Sequence, residues 1–189
     1  MGCDIHLYKE KLVNGKWLTA DVWEEEDDGS KSVAWKNRFT ERNYNLFGLL
    51  CKGVRREHEF SFAARGIPFD ACEEIKSDTE LWGGDGHSHS YLYISELKRM
   101  DEYLKSAKIH IYGMKHRDEL KNLKETAASE NPNWYLLYPY CAWASSSEYE
   151  RFELDVPASF IVGGSLKTII ESFDGVEGDD HRIVFFFDN

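Results

Sequence analysis

Residues 181–188 read HRIVFFFD, and residues 183–187 within that segment are all apolar. An unbroken run of β-branched and aromatic residues of this length is typical of a strand buried on both faces. We expect this last strand to lie beside the first strand of the chain, at the centre of a sheet. That pairing places Asp188 at the end of a strand next to Asp4 or His6. Because chain termini often fray, a polar terminus without a partner is the alternative interpretation of Asp188.

The first residues of the chain predict a β-hairpin. Predicted strands at 4–13 and 16–24 flank Asn14-Gly15, a pair that favours a two-residue turn with positive φ at both positions. Asp4 and His6 alternate with apolar residues, so they share one face of the predicted sheet. The first strand therefore carries a carboxylate and an imidazole side by side.

Helices are predicted in four places between the terminal strands. Apolar stripes or strongly charged helical surfaces mark residues 44–56, about 95–105, 117–129 and 166–174. Asn43 is placed to cap the first of these helices, and Ser165 is placed to cap the last.

Strands at both ends with helices between them predict an α+β fold. We expect one domain over residues 1–189, with a mixed or antiparallel sheet formed by the N- and C-terminal strands and with helices packed on it. The aromatic-rich stretch at 134–143 is interpreted as a buried strand. Residues 57–90 show no sustained period, which is typical of a functional segment or of an element that the pattern hides. The charged insert at 105–133 receives no role.

Length and charge narrow the class of protein. A chain of 189 residues with 42% hydrophobic residues predicts a folded domain with its own core. The net charge of −11 argues against a protein that binds duplex DNA, but it allows a small anionic ligand in a local arginine pocket. Four separated cysteines without a CxxC pair predict reduced thiols. Without a predicted leader peptide or membrane span, we expect a soluble cytoplasmic protein. The sequence leaves open whether the protein forms a homo-oligomer.

Two polar clusters share the spacing Asp-x-His: Asp4-Ile5-His6 near the N-terminus, and Asp85-Gly86-His87-Ser88-His89-Ser90 in the middle of the chain. If the second segment is extended, His87 and His89 share a face. Aspartate and histidine suit a divalent metal ion or acid–base chemistry. If the fold brings the two clusters together, the predicted ligands of a divalent ion are Asp4, His6, Asp85, His87 and Asp188.

Arginines form the second candidate site. Arginine side chains match the bidentate geometry of phosphate, and Arg42 precedes the N-terminus of a predicted helix, where anions are favoured. Surface ion pairs with the abundant Asp and Glu are the alternative. Trp17, Trp23 and Trp35 with Tyr44 would offer platforms for bases, although such aromatic residues are more often part of a core. The predicted substrate-binding residues are Arg42, Tyr44, Arg55, Arg65, Ser88 and Ser90.

Several short motifs occur together along nearly the whole chain. They are MGCDIH at 1–6, RNY at 42–44 with LF at 46–47 and VR at 54–55, RGIP at 65–68, DGHSHSYL at 85–92 and RIVFFFDN at 182–189. In this combination the chain resembles a family of small phage and prophage proteins, known by the MGCDIH opening and the FDN ending. The resemblance implies a phage setting, and with it the cytoplasm of the host cell, but no particular reaction.

These features favour a small metal-assisted hydrolase that cleaves a phosphodiester or nucleotide-type substrate. The metal ion would generate hydroxide and the arginines would bind phosphate. His87 and His89 are the predicted catalytic residues, with His89 protonating the leaving oxygen. Two alternatives stay open. A non-catalytic binder would sequester a nucleotide signal of bacterial defence, and an acidic inhibitor protein would act on a host defence factor through the acidic run at 24–28.

Overall fold

A computed structural model describes every residue of the chain except Met1, Glu57, Asp174, Glu177 and Asn189. The described residues form eight strands, six α-helices and three short 3₁₀ helices. The strands are β1 (Asp4–Val13), β2 (Lys16–Thr19), β3 (Trp23–Glu25), β4 (Lys31–Val33), β5 (His87–Tyr93), β6 (Lys108–His116), β7 (Tyr149–Pro157) and β8 (His181–Asp188). The helices are α1 (Tyr44–Leu50), α2 (Glu73–Trp82), α3 (Ile94–Ser106), α4 (Arg117–Ala127), α5 (Ala158–Ile161) and α6 (Gly163–Glu171).

The chain divides into two compact units. The first consists of the residues up to Tyr103 together with those from Gly164 onward, and the second runs from Leu104 to Gly163. A four-stranded sheet and all of the predicted site residues belong to the first unit, and a two-stranded sheet belongs to the second. The organisation as one domain stays a prediction.

The four-stranded sheet has the order β2-β1-β8-β5, and its neighbouring strands are antiparallel. The α+β prediction, with the last strand beside the first, is therefore confirmed. Every residue of β8 from Arg182 to Phe187 is buried. Phe186 packs in one cluster with Ile75 of α2, and Phe187, which points to the opposite face, packs on Phe47 of α1. Packing on both faces explains why β8 is apolar without alternation.

The hairpin turns at Asn14-Gly15, where φ is 51° and 78°. The positive values are those that this pair adopts in a two-residue turn, so this prediction is confirmed. β2 ends at Thr19 instead of residue 24, because the Asp21 carboxylate accepts a 2.6 Å hydrogen bond from the Lys9 N–H. The N-terminal half of β1 consequently has no neighbouring strand on this side within the described part of the chain.

Helix α1 begins after Asn43, whose side-chain oxygen accepts a 3.2 Å hydrogen bond from the Leu46 N–H. The predicted cap is therefore confirmed. The helix ends at Leu50 and not at residue 56, because the chain turns through Gly53 and Arg55, whose φ values of 87° and 61° are left-handed. The helices predicted at 95–105 and 117–129 correspond to α3 and α4.

Helix α2 is absent from the sequence-based prediction. It lies in the stretch at 57–90, and Ile75 is its one buried residue, so it has almost no apolar stripe. The predicted cap at Ser165 is wrong, because α6 begins at Gly163 and encloses that residue. The Ser165 hydroxyl instead accepts a 3.0 Å hydrogen bond from the side-chain amide of Asn43.

In the second unit, β6 and β7 form a two-stranded antiparallel sheet. Buried and exposed residues alternate along most of β6, as in a half-buried strand. The buried strand predicted at 134–143 is wrong. A 3₁₀ helix occupies Trp134–Leu137, and the Tyr135 and Trp143 side chains are 79% and 76% exposed. The charged insert at 105–133 supplies β6 and α4.

An ion pair is buried within the four-stranded sheet. Arg182 Nε donates a 2.6 Å hydrogen bond to Glu10 Oε2, and the two residues are 1% and 0% exposed. The guanidinium also lies 3.9 Å from the Trp17 ring centroid and donates to Asp70 at 3.0 Å. Glu10 Oε1 accepts a 2.6 Å hydrogen bond from the Cys72 N–H. The pair therefore ties the sheet to the segment that leads into α2.

We expect burial of His58 to make the stability of the first unit dependent on pH. Its Nε2 is buried without a hydrogen-bond partner among the described residues, and burial lowers the pKa of the imidazole below its ordinary 6.5. The unfolded chain therefore takes up this proton at a higher pH than the folded chain does. The contribution of the neutral His58 to the free energy of unfolding is fully present above about pH 6.5, and it is lost as the pH falls below that value.

We expect the Tm of the wild-type protein to fall further between about pH 7.5 and pH 5.5 than the Tm of His58→Gln, which carries no titrating group there. Thermal melts of both proteins at the two pH values measure the difference. Equal losses in both proteins would contradict the prediction.

Candidate functional site

Asp4 and Asp188 lie directly opposite each other, as register partners of β1 and β8. Asp188 Oδ1 accepts a 3.1 Å hydrogen bond from the Asp4 N–H, and Asp188 Oδ2 lies 3.2 Å from His6 Nε2. The expected position of Asp188, at the end of a strand next to Asp4 or His6, is confirmed. The His6 ring stacks on the Phe186 ring, with centroids 4.6 Å apart, and lies 4.2 Å from a ring of Trp82. We call His6 and Asp188 the dyad.

The dyad has the geometry of an acid–base pair. When the Nε2–H of His6 donates to Asp188, Nδ1 keeps a lone pair that accepts a proton, and the carboxylate stabilises the resulting imidazolium. The two side chains are 22% and 18% exposed, so they are partly shielded from water but still accessible. Packing between two aromatic rings restricts the orientation of the imidazole. A proton-transferring group held in one orientation suits general acid–base catalysis.

A cleft of about 490 Å³ opens beside His6. Its lining comes from β1 between Asp4 and Tyr8, from residues between 32 and 40, and from α2. The β1 edge is the one that β2 leaves uncovered. Trp35 contributes to the lining and is 73% exposed, which is unusual for so large an apolar side chain. The size and the aromatic lining are those of a site for a small molecule.

Arg38 is the one Lys or Arg among the described residues that line the cleft. Its Nε donates a 2.6 Å hydrogen bond to the Val33 carbonyl, and its guanidinium lies 5.7 Å from the Trp35 ring centroid. The contact with Glu26 is longer, at 3.8 Å, and lies at an exposed position. The guanidinium is thus fixed at the cleft with a weakly held countercharge.

Tyr8 and Asp78 form a hydrogen-bonded pair in the lining of the cleft. The Tyr8 hydroxyl donates to Asp78 Oδ2, and the Tyr8 ring stacks on Trp23 with centroids 5.7 Å apart. Burial, followed by the negative charge of Asp78, raises the pKa of Tyr8. The hydroxyl therefore stays protonated and holds the Asp78 carboxylate in place.

Arg42 and Arg55, which are predicted to bind phosphate, contact protein groups near the start of the chain. Arg42 donates to both carboxylate oxygens of Asp4, with a distance of 2.7 Å from Nε to Oδ1. This hydrogen bonding is the main cause that lowers the pKa of Asp4. Arg55 donates a 2.6 Å hydrogen bond to the Gly2 carbonyl and lies 5.0 Å from the Tyr44 ring centroid. Binding of substrate by Arg42, Tyr44 and Arg55 stays a prediction.

Arg65 is not among the described residues that line the cleft. Its guanidinium donates two hydrogen bonds, of 2.8 and 2.7 Å, to the Glu96 carboxylate, and its backbone N–H donates to Ser90 Oγ at 3.2 Å. The structure thus shows the ion-pair arrangement for Arg65 that the sequence left open as an alternative. A substrate contact from Arg65 or Ser90 stays a prediction.

A β-bulge separates the two histidines of the middle cluster. Ser88 and His89 of β5 together oppose the single residue Phe186 of β8, and φ at Ser88 is 53°. The His87 ring packs on Phe187 at a centroid distance of 6.1 Å, whereas the His89 ring packs on Phe186 at 5.1 Å. Phe186 and Phe187 are successive residues of β8, so their side chains point to opposite faces of the sheet. His89 and His87, which pack on them, therefore lie on opposite faces as well. The expectation that they share a face is therefore wrong.

His89 consequently lies on the same face of the sheet as the dyad. It packs against Phe186, the ring on which His6 also stacks. Its Nε2 is buried without a partner in the described part of the chain, and burial lowers the pKa of the imidazole, with a smaller effect from His87. His89 is therefore a neutral base at pH 7 that does not contribute to the cleft lining.

The predicted metal ligands are only partly brought together. Asp4, His6 and Asp188 meet, while His87 points to the other face and Asp85 is exposed in a 3₁₀ turn at Gly83–Asp85. Within the described ranges, no group of three or more His, Cys, Asp or Glu side chains could hold a metal ion. Binding of a divalent ion stays a prediction.

No protein-family model, curated protein or solved structure matches the chain. The resemblance to phage proteins therefore stays a prediction. None of the described helices is both long and apolar enough to cross a membrane.

Several residues of the cleft were not among the predicted site residues. Trp35 was considered only as a base platform that is more often core. The spacing of four between Asp78 and Trp82 becomes a signal only when α2 is known to be a helix, since residues four apart then share a face. The missed residues are Trp35, Arg38, Asp78 and Trp82.

Proposed function

We propose that this protein is a small hydrolase that cleaves a phosphate ester of the nucleotide type in the cleft beside the dyad. The observation that carries the proposal is the contact of Asp188 with His6, because His6 lines the cleft together with Trp35 and Trp82. An acid–base pair next to aromatic rings combines a group that moves protons with surfaces on which a base stacks.

The chemistry follows from the position of the imidazole. Nδ1 of His6 accepts a proton from a water molecule, whose oxygen attacks the phosphorus atom. The bond between phosphorus and the leaving oxygen breaks, and the imidazolium returns its proton to that oxygen. Asp188 keeps the ring in one tautomer and stabilises its positive charge between the two proton transfers.

Binding of the phosphate relies on local charge, because the chain as a whole is acidic. Arg38 presents a guanidinium at the cleft, and Trp35 beside it presents an exposed ring. A local cation attracts an anion even when the net charge of the protein is negative. The predicted divalent ion would add to this attraction and would polarise the phosphoryl oxygen. The phage setting is part of the same proposal.

A screen of cyclic and linear nucleotides tests the proposed function. The protein is purified without an affinity tag, its metal content is measured by elemental analysis, and products are separated by anion-exchange chromatography with and without a chelator. We expect cleavage of at least one class of nucleotide. The chelator should abolish this cleavage only if a divalent ion takes part in the reaction.

The same screen separates hydrolysis from the alternative of a non-catalytic binder. Calorimetric binding with full recovery of the unaltered nucleotide would replace the proposed function by sequestration. An absence of both binding and cleavage across the nucleotides would contradict both functions. The acidic inhibitor would then be tested by neutralising the acidic run at 24–28.

A further inference from the structure

Helix α2 presents two side chains of different chemistry to the cleft. Asp78 and Trp82 are four residues apart, so they lie on one face of the helix, and both line the cleft. Trp82 contacts His6, with ring centroids 4.2 Å apart. A carboxylate acceptor and an aromatic surface therefore stand together on the wall of the cleft, next to the proposed catalytic imidazole.

The Asp78 carboxylate retains capacity for a ligand. Within the described part of the chain its hydrogen-bond partner is Tyr8, which donates to Oδ2 and leaves Oδ1 without a protein donor. An ionised carboxylate offers about four lone-pair positions over its two oxygens. Asp78 is half-buried, where hydrogen bonds to a carboxylate are stronger than in water. The Asp78 carboxylate, which lines the cleft, therefore keeps acceptor positions on both of its oxygens.

Among nucleobases, guanine matches a double acceptor best. Its N1–H and its N2 amino group lie side by side on one edge of the ring, so both can donate to one carboxylate. Adenine places an acceptor nitrogen beside its amino group, cytosine does the same, and uracil has a single N–H between two carbonyls. A carboxylate that meets these bases pairs with fewer donors and faces a repelling lone pair.

We propose that Asp78 selects a guanine base, and that the substrate of the cleft is a guanine nucleotide. This inference rests on the proposed function, since it requires a nucleotide in the cleft. Trp82 and the exposed Trp35 supply ring faces for stacking, which every base satisfies and which therefore gives affinity without selectivity. Asp78 supplies the selectivity, and Tyr8 is a positioning residue that orients the carboxylate.

The test compares guanosine, inosine and adenosine 5′-monophosphates by calorimetry, with recovery of each ligand checked by chromatography. Inosine monophosphate keeps N1–H but lacks the N2 amino group, so it isolates one of the two hydrogen bonds. We expect the guanine nucleotide to bind at least about tenfold more tightly than the adenine nucleotide, with the inosine nucleotide between them.

Asp78→Asn should reduce the difference between guanine and adenine nucleotides to about twofold or less, because the amide offers one acceptor and a competing donor. Glu80→Gln is the matched control. It removes the same charge from an exposed position of the same helix that does not line this cleft, so the preference for guanine should persist. Thermal melts of both variants verify that they are folded.

The outcomes separate this inference from the proposed function. Equal binding of the three nucleotides to the wild-type protein would overturn guanine selection and leave the hydrolase proposal standing. Failure of all three nucleotides to bind would overturn guanine selection, and the screen of cyclic and linear nucleotides would then decide the hydrolase proposal on its own. If Asp78→Asn does not fold, the comparison of guanosine with inosine monophosphate on the wild-type protein still decides whether the cleft selects guanine, and equal binding of the two would overturn the inference. Persistence of the preference in a folded Asp78→Asn would assign the selectivity to another residue.

Discussion

Glu10→Ala is expected to lower the free energy of unfolding by about 3–5 kcal/mol, because it leaves the buried Arg182 guanidinium without its main countercharge. The side chains of Glu10 and Arg182 are 0% and 2% exposed, so water cannot replace the lost carboxylate. The Cys72 N–H also loses its acceptor. A loss of this size is a large part of the 5–15 kcal/mol of a typical domain. Urea unfolding followed by far-UV circular dichroism measures it.

Two further variants make this prediction specific. Glu24→Ala removes an exposed glutamate from β3 and should change the free energy of unfolding by less than about 0.5 kcal/mol. Replacing both partners, with Glu10→Leu and Arg182→Met in one chain, should restore much of the loss, since no unpaired charge is then left in the core. A single Glu10→Ala variant as stable as the wild-type protein would show that Asp70 alone compensates the guanidinium.

His6→Ala is expected to reduce turnover by about 100- to 10,000-fold while the protein stays folded, because it removes the group that moves the proton in the proposed mechanism. Asp188→Asn should also reduce turnover, since an amide can neither select the required tautomer nor stabilise the imidazolium. The substrate identified in the nucleotide screen is used under saturating conditions, so that the change is assigned to kcat.

His181→Ala is the matched control for His6→Ala. His181 lies at the other end of β8, and its Nδ1 is 3.1 Å from an aspartate, Asp180, so it too is an Asp-paired histidine. We expect turnover in this variant to equal that of the wild-type protein. His87→Ala is informative in a different way, because His87 is a catalytic residue in the sequence-based hypothesis and lies on the opposite face from the dyad. Loss of turnover in His87→Ala together with full activity in His6→Ala would overturn the proposed mechanism.

Local sequence was sufficient for the parts of the fold that depend on near neighbours. The apolar run in β8 predicts a strand covered on both faces, and Asn14-Gly15 predicts its turn through the positive φ that these residues tolerate. Asn43 predicts the start of α1, because its side chain bonds a backbone N–H only three residues away. The position of Asp188 beside Asp4 and His6 follows from one further assumption, that the two terminal strands are neighbours.

The composition of the cleft depends on contacts between distant residues, and no local pattern contains them. Helix α2 has one buried residue, so periodicity does not reveal it, yet it carries Asp78 and Trp82 to the cleft. Arg42 and Arg65 form ion pairs with Asp4 and Glu96, which are distant in the sequence. The abundance of acidic residues makes such pairs possible, but it does not specify which carboxylate each arginine contacts.

The bulge in β5 is the clearest case of this kind. The alternation of His87 and His89 predicts a common face, and the register of β5 against β8 moves them to opposite faces by inserting one residue opposite Phe186. A one-residue shift inverts the orientation of every side chain beyond it, because the period of a strand is two. Sequence therefore specified the two terminal strands and the turn of the hairpin. Strand register and partner choice arise only when remote segments pack together, and they placed His6 beside Asp188 at the cleft and turned His87 to the opposite face.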